Sequence, residues 1–148
     1  MKKNQEDFKL EFLEVIGAQN QIELLYKLLD ERKYSISHSI MPSFKEHEEF
    51  VKNNPYRAWF FIQKQDNTIG SFYIQHDNTI GLNLIDVNKS IVREIIKFVI
   101  KNFSPNLPSK SQVAPYFSIN VPYSFLELRS SIEAISCKPI QISYRIDL

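Results

Sequence analysis

The stretch WFFIQKQDNTIGSFYIQHDNTIGLNLID, from Trp59 to Asp86, decides the fold of this chain. It holds three runs rich in aromatic and β-branched residues, separated by two copies of Asp-Asn-Thr-Ile-Gly that begin at Asp66 and Asp77. Asp-Asn pairs between such runs favour tight turns, so the spacing predicts an antiparallel three-stranded meander. The predicted strands are Trp59 to Lys64, Ile69 to Gln75 and Thr79 to Asp86.

On the carboxyl side of the meander, the pattern predicts two more helices and two more strands. Asn88 is a good N-cap for a helix from Lys89 to Phe103, whose apolar residues recur at helical spacing. Three prolines mark Ser104 to Pro115 as a loop. The predicted elements that follow are a strand from Tyr116 to Val121, a helix opened by a capping box at Ser124 to Glu127, and a terminal strand from Ile140 to Leu148 with alternating apolar residues.

On the amino side, the pattern predicts one strand and two helices. Alternation from Phe8 to Val15 favours a strand, and Asn20 opens a helix through a variant capping box. Ser43 to Glu46 is a second capping box, and Pro55 requires its helix to stop near Asn54.

The resulting order is β-α-α-β-β-β-α-β-α-β in one domain, residues 1–148. The helix from Lys89 to Phe103 joins two strands as a crossover, so this pair should be parallel within an otherwise antiparallel sheet. We therefore predict an α+β fold in α/β/α layers, with a mostly antiparallel sheet and one parallel pair. A crevice should open where the parallel strands diverge, just after Asp86 and near Asn120.

Composition excludes several classes of function. The 148 residues carry 18 Lys and Arg against 17 Asp and Glu, a net charge of +1, which disfavours nucleic-acid binding. No apolar run is long enough to cross a membrane, no signal segment opens the chain, and the single cysteine, Cys137, forms no internal disulfide. We expect a cytoplasmic protein without a membrane or nucleic-acid partner. Three histidines and one distant cysteine make no metal-ligand spacing.

Several short motifs support a family resemblance. The segment from His38 to Pro42 reads His-Ser-Ile-Met-Pro, Glu46-His47 follows, and the segment from Pro55 to Trp59 reads Pro-Tyr-Arg-Ala-Trp. These motifs, together with the element order, resemble those of a bacterial branch of the GNAT family of acetyl-coenzyme-A-dependent N-acetyltransferases. The resemblance extends over about three quarters of the chain.

The resemblance implies acetyl transfer from acetyl-CoA to a small-molecule amine, with an amino sugar as one option, and it allows for a homodimer. His38 would be the base that deprotonates the amine, and Asn120 would lie beside donor or acceptor. The implied coenzyme contacts are Leu82 and Leu84, and the implied substrate contacts are Met41, Tyr56, Trp59 and Tyr73. Unpaired N–H groups at the start of the helix and the charge of Lys89 add a separate hypothesis, in which Asn88, Lys89 and Ser90 bind a phosphate of the coenzyme.

Other features depart from the family pattern. The family binds pyrophosphate with a glycine-rich loop, whereas Asp86 to Ile91 is shorter and contains no glycine. The late family tyrosine that protonates the leaving thiolate is replaced in the segment from Ile132 to Cys137. The alternative is therefore a non-catalytic GNAT-fold module for ligand binding or protein interaction. In that interpretation Asn88 is an ordinary helix cap, Trp59 belongs to the core, and His38 is a surface or loop-tethering residue.

Overall fold

A computed structural model of the chain describes residues 9–32, 40–107 and 113–147. These ranges form four helices and five strands, which confirms the predicted α+β class. The helices are α1 (Gln19–Asp30), α2 (Phe44–Lys52), α3 (Lys89–Asn102) and α4 (Leu126–Glu133). The strands are β1 (Leu10–Glu14), β2 (Ala58–Lys64), β3 (Asn67–Ile74), β4 (Thr79–Leu84) and β5 (Ser118–Ile119).

The five strands form one sheet in the order β1-β2-β3-β4-β5. The first three pairings are antiparallel and the β4–β5 pairing is parallel. Both the meander and the crossover through α3 are therefore confirmed. The parallel pair is possible because α3 carries the chain back across the sheet between β4 and β5.

The sheet separates two apolar cores because successive side chains of a strand point to opposite faces. In β2, Phe60 and Ile62 pack into the core that α3 and α4 cover. Trp59 and Phe61 pack into the core that α1 and α2 cover. Helices on both faces of one sheet produce the predicted three-layer arrangement.

Two of the four predicted helix caps form. Ser43 accepts from the Glu46 amide at 3.3 Å, and the Glu46 carboxylate accepts from the Ser43 amide at 2.8 Å, which completes the capping box of α2. The side chain of Asn88 caps α3. Each cap satisfies amides that lack a partner within the helix.

The predicted caps at Asn20 and Ser124 are wrong. Helix α1 begins one residue before Asn20, and Gln21 organises its start by accepting from the Ile16 amide at 2.8 Å and donating to the Glu14 carbonyl at 3.0 Å. Helix α4 begins at Leu126, and its N-cap residue makes no side-chain cap hydrogen bond.

The last two predicted strands also need correction. β5 contains only Ser118–Ile119, because β4 provides ladder partners only at Thr79 and Ile80. Ile140 to Asp147 forms no strand at all. An alternating pattern reveals an apolar face but does not specify a neighbouring strand, and within the described ranges this segment has none. Among the same residues no helix has both the length and the apolar character needed to span a bilayer.

Candidate functional site

The two parallel strands diverge almost immediately. Thr79 pairs with Ser118 and Ile80 with Ile119, after which β5 ends while β4 continues to Leu84. The pairing between these strands therefore ends at Ile80, six residues earlier along β4 than the predicted point of divergence at Asp86. We call the space beside β4 beyond Ile80 the slot.

Backbone amides of β4 point into the slot. Ile85 donates to the carbonyl of Ile69 in β3 at 2.9 Å. Backbone groups in an antiparallel ladder point alternately toward and away from the neighbouring strand, and the β3–β4 register is regular. The N–H groups of Leu82 and Leu84 therefore point away from β3, toward the edge where no strand of the described chain pairs beyond Ile80. These are the two β4 residues that the sequence proposed for the coenzyme.

Three of the four predicted substrate residues lie together on the face of the sheet that α1 and α2 cover. The rings of Tyr56 and Tyr73 stack with centroids 3.9 Å apart and planes 5° apart. Trp59 meets Tyr56 edge to face at 5.1 Å. The expectation that Trp59 belongs to the core is also correct, because its side chain is 9% exposed and packs with Phe61.

The tyrosine stack reaches β4 because Gly81 has no side chain. Tyr73 lies opposite Gly81 in the ladder, and a Cβ on Gly81 would stand only 2.1 Å from Cζ of the Tyr73 ring. Burial is the largest cause that raises the pKa of Tyr56 above its ordinary value, and the neighbouring Tyr73 phenol adds to it. Tyr56 is therefore a neutral phenol at physiological pH, suited to donate a hydrogen bond but not to act as a base.

The amino end of α3, where phosphate binding was predicted, is already capped. Asn88 Oδ1 accepts from the amides of Ser90 and Ile91 at 3.0 Å each. Lys89 is exposed at the first position of the helix. The cap occupies amides that a phosphate would need, so any phosphate contact would depend mainly on the Lys89 ammonium.

The other predicted site residues are not joined to this group. His38 lies outside the described residues. Asn120 is exposed directly after β5, at the point where the strands diverge. Met41 is half-buried ahead of α2, and none of the ring contacts or hydrogen bonds of the described residues links it to the three aromatic side chains. Nor do the described ranges contain a cluster of three or more His, Cys, Asp or Glu suited to a metal ion.

Sequence reasoning missed the buried Asn78, which joins β4 to the proline-bearing loop. Its Nδ2 donates to the carbonyls of Asn106 at 3.0 Å and Ala114 at 2.8 Å, and its Oδ1 accepts from the Asn106 amide at 2.6 Å. The Asn78 carbonyl accepts from the amide of Ser118 at 3.1 Å. This residue thus brings β5 alongside β4 just before the slot. Its only sequence signal is an asparagine in a turn, which does not indicate burial.

The comparisons with known proteins support the fold. No protein-family model matches this chain, and no curated protein matches it. The chain is similar in structure to a protein described as a possible acetyltransferase from Clostridium difficile 630. The TM-score is 0.52 at 12% sequence identity, covering 94% of this chain and 99% of the other. The chain therefore has a GNAT-like fold.

Proposed function

We propose that this protein is a GNAT-like N-acetyltransferase that moves an acetyl group from acetyl-CoA to a small-molecule amine. The observation that carries the proposal is the slot, where β4 and β5 separate after Ile80 and the amides of Leu82 and Leu84 point into the gap. The structural neighbour, a possible acetyltransferase with the same fold, supports the same reaction class.

The slot suits the thioester end of acetyl-CoA. An amide-bearing pantetheine arm could pair with the free edge of β4 as a strand would, through the backbone groups of Leu82 and Leu84. A backbone N–H at this edge would also stabilise negative charge that develops on a carbonyl oxygen during attack by the amine. When bound, acetyl-CoA supplies the activated acetyl group. The phosphate end fits less well, because Asn88 already occupies two amides of α3.

On the acceptor side, the aromatic group adjoins β4 through the packing of Tyr73 over Gly81. We assign the positioning of the amine substrate to Tyr56 and Tyr73, whose rings are half-buried. An amino sugar would contact the outer surfaces of this pair of rings, because their inner faces already stack on each other. Holding amine and donor together lowers an otherwise bimolecular barrier by about 7–11 kcal/mol when the geometry is good. His38 remains our candidate for the base.

The cap at Asn88 favours a second candidate function. A GNAT-like module that no longer binds the coenzyme has no need for free amides at the start of α3, and here Ser90 and Ile91 already have a partner. Such a module would use the slot or the aromatic group to bind another ligand. Coenzyme binding separates the two functions.

A thermal-shift titration with acetyl-CoA provides the first test. A ligand that binds only the native state stabilises it by about 2.7 kcal/mol at one hundred times its dissociation constant. We expect a saturable rise in Tm with acetyl-CoA. An unchanged Tm at millimolar acetyl-CoA would favour the non-catalytic module.

Two substitutions at Asn120 test the slot itself. Asn120→Trp should fill the gap from the β5 side and weaken acetyl-CoA binding at least tenfold, whereas Asn120→Ala leaves the gap open and should retain binding. Calorimetry measures both dissociation constants. Equal binding by the two variants would place the coenzyme elsewhere. Lys89→Ala should weaken binding measurably, with Lys101→Ala near the other end of α3 as its control.

A further inference from the structure

A cleft of about 270 Å³ lies between the middle of α3 and the segment that follows α4. Arg93, Ile96 and Lys97 of α3 form one wall, and Ala134 to Cys137 form the other. None of its lining residues in the described chain belongs to β4, so this cleft is distinct from the slot. Its volume is close to the roughly 300 Å³ at which pockets for small molecules begin.

The wall formed by α3 is positively charged. Four cations follow one another at intervals of four residues and therefore share one face of the helix: Lys89, Arg93, Lys97 and Lys101. Among the described residues the only carboxylate paired with this row is Glu94, 3.0 Å from the Lys97 ammonium. Arg93 makes no ion pair and no hydrogen bond within the same ranges. A chain whose net charge is only +1 thus concentrates cations beside this cleft.

The opposite wall adds neutral hydrogen-bond donors. Ser136 has a positive φ of 70°, so the chain turns sharply after α4 ends. Ser136 and Cys137, which carry a hydroxyl and a thiol, line the cleft at this turn. In the described part of the chain the backbone N–H of Cys137 has no hydrogen-bond acceptor. Ile96 and Ile135 add apolar surface, so the cleft combines cations, neutral donors and a small apolar area.

We propose that this cleft binds a phosphate monoester, with the phosphate between Arg93 and Lys97 and the organic group against Ile96 and Ile135. A guanidinium can donate two parallel hydrogen bonds to phosphate oxygens, and an ammonium adds a compact positive charge. Residues four apart on a helix have Cβ atoms about 5–6 Å apart, so both side chains can reach one anion. A bound dianion also offsets the repulsion between the two cations.

The charges around the cleft favour a dianion over a carboxylate. The carboxyl end of α4 carries partial negative charge, which opposes any anion bound there. Glu94 also neutralises part of the Lys97 charge. A phosphate monoester carries about 1.5–2 negative charges near pH 7 and has three acceptor oxygens, so it gains more from the remaining positive charge than a carboxylate does. The apolar area favours an ester over inorganic phosphate.

The single cysteine of the chain provides the first test. Cys137 is half-buried and lines the cleft, so a ligand bound there should shield its thiol from iodoacetamide, an uncharged reagent. In the full chain at about pH 7.5 and constant ionic strength, saturating phenyl phosphate should suppress most of the alkylation, and phenyl sulfate, a monoanion, should suppress far less. Equal protection by the two anions, or none by phenyl phosphate, would overturn the proposal.

Two variants separate the cleft from the rest of the cationic row. Arg93→Gln should raise the phenyl phosphate concentration for half-maximal protection at least about tenfold, because it removes charge-assisted hydrogen bonds. Lys101→Gln removes a cation of the same row that does not line the cleft, and this matched control should keep wild-type protection. Both side chains are exposed, so neither substitution should disturb the fold. Equal losses in both variants would mean general attraction by the row and would contradict a site at Arg93.

Two further ligands identify the source of the phosphate, which is either a separate phosphorylated metabolite or the 3′-phosphate of acetyl-CoA. The second source rests on the proposed function, whereas the test with phenyl phosphate does not. Protection of Cys137 by acetyl-CoA but not by 3′-dephospho-acetyl-CoA would support the site and assign it to the coenzyme. Protection by phenyl phosphate without a difference between the two coenzymes would support the site and assign it to a separate metabolite. If acetyl-CoA did not bind at all, protection by phenyl phosphate would still support the cleft while the proposed acetyl transfer failed.

Discussion

The two turns of the meander share the sequence Asp-Asn-Thr-Ile-Gly but differ in structure. In the first, between β2 and β3, Gln65 and Asp66 form the loop, and Gln65 has the positive φ of 55°. Asn67 is exposed and already belongs to β3. In the second, between β3 and β4, the positive φ of 71° falls on Asn78, which is fully buried. The same five residues therefore occupy different positions relative to the bend.

The difference arises from contacts far away in sequence. Asn78 bonds to Asn106 and Ala114, which lie 28 and 36 residues further along the chain. Asn106 in turn donates from Nδ2 to the His76 carbonyl at 2.8 Å, so the second turn and the loop hold each other. The first turn has no comparable loop against it among the described residues. A turn motif thus sets local propensity, while its neighbours decide whether it also organises the site.

The largest expected effect distinguishes the two asparagines. Asn78→Ala removes three buried hydrogen bonds and leaves Ala at a positive φ, so it should lower the free energy of unfolding by about 4 kcal/mol. The equivalent substitution at the first turn, Asn67→Ala, removes an exposed side chain and should change it by less than about 0.5 kcal/mol. Urea denaturation measures both values.

Asn78→Gly separates hydrogen bonding from backbone conformation. Glycine accepts the positive φ without strain, so this variant should recover about 1 kcal/mol relative to Asn78→Ala and remain far less stable than the wild type. If Asn78→Gly were as stable as the wild type, the hydrogen bonds of Asn78 would contribute nothing and the two turns would be equivalent.

The next effect concerns the glycine that ends the first repeat. A Cβ on Gly70 would stand 2.3 Å from the Asn83 carbonyl oxygen of β4, and backbone cannot move aside without disturbing the sheet. Gly70→Ala should therefore destabilise the protein by about 3 kcal/mol, measured as a lower urea midpoint at an unchanged m-value. A loss below about 1 kcal/mol would show that the β3–β4 pair adapts easily.

The glycine that ends the second repeat should be less costly to replace. At Gly81 the obstacle is the Tyr73 ring, a side chain that can rotate away, so Gly81→Ala should cost about 2 kcal/mol. In a double-mutant cycle, Tyr73→Ala should remove most of this penalty, because the two residues are in contact. Additive losses in the double variant would contradict the packing described here. The same substitution should also disturb the tyrosine stack beside the slot.

Much of the sheet could be predicted because its signals are local. Alternating β-branched and aromatic residues mark the meander. Ser43 and Asn88 cap helices through hydrogen bonds to residues only two or three positions away in sequence. The two strand predictions that failed share one cause, which is dependence on a distant partner. The segment from Ile140 to Asp147 alternates like a strand but no described neighbour pairs with it, and β5 is short because β4 pairs with it at only two positions.

The candidate site could likewise be predicted only where it does not depend on contacts between distant segments. Leu82 and Leu84 could be proposed because the order of elements requires β4 to border the parallel strand, and the family resemblance implies a coenzyme there. The stacking of Tyr56 on Tyr73 depends on Gly81 in another strand, and the burial of Asn78 depends on a loop that joins α3 to β5. Neither contact has a signature within its own segment, so sequence reasoning could name the tyrosines but could not explain their arrangement.

The smallest expected effect comes from one long-range hydrogen bond made by a titratable side chain. His47 of α2 is buried, and its Nε2 lies 3.0 Å from the carbonyl oxygen of Ile22 in α1, so this nitrogen carries the proton of the neutral ring. Burial lowers the pKa of His47 below its usual 6.5, outweighing the opposite influence of the hydrogen bond to Ile22. The folded state therefore binds this proton less readily than the unfolded state does.

Stability should consequently fall as the pH drops through about 6.5 and toward the lower pKa of the folded state, because only the unfolded chain gains the proton there. The free energy of unfolding can be measured by urea denaturation at each pH from 7.5 to 5.5. Its slope against pH should be smaller in His47→Gln than in the wild type. His76, exposed in the second turn, is the matched control, and His76→Gln should retain the full slope. Identical slopes in both variants would mean that the tie between α1 and α2 does not depend on a neutral His47. A reduced slope in His47→Gln alone would show that a buried polar group joining distant segments also stabilises the face of the sheet opposite α3.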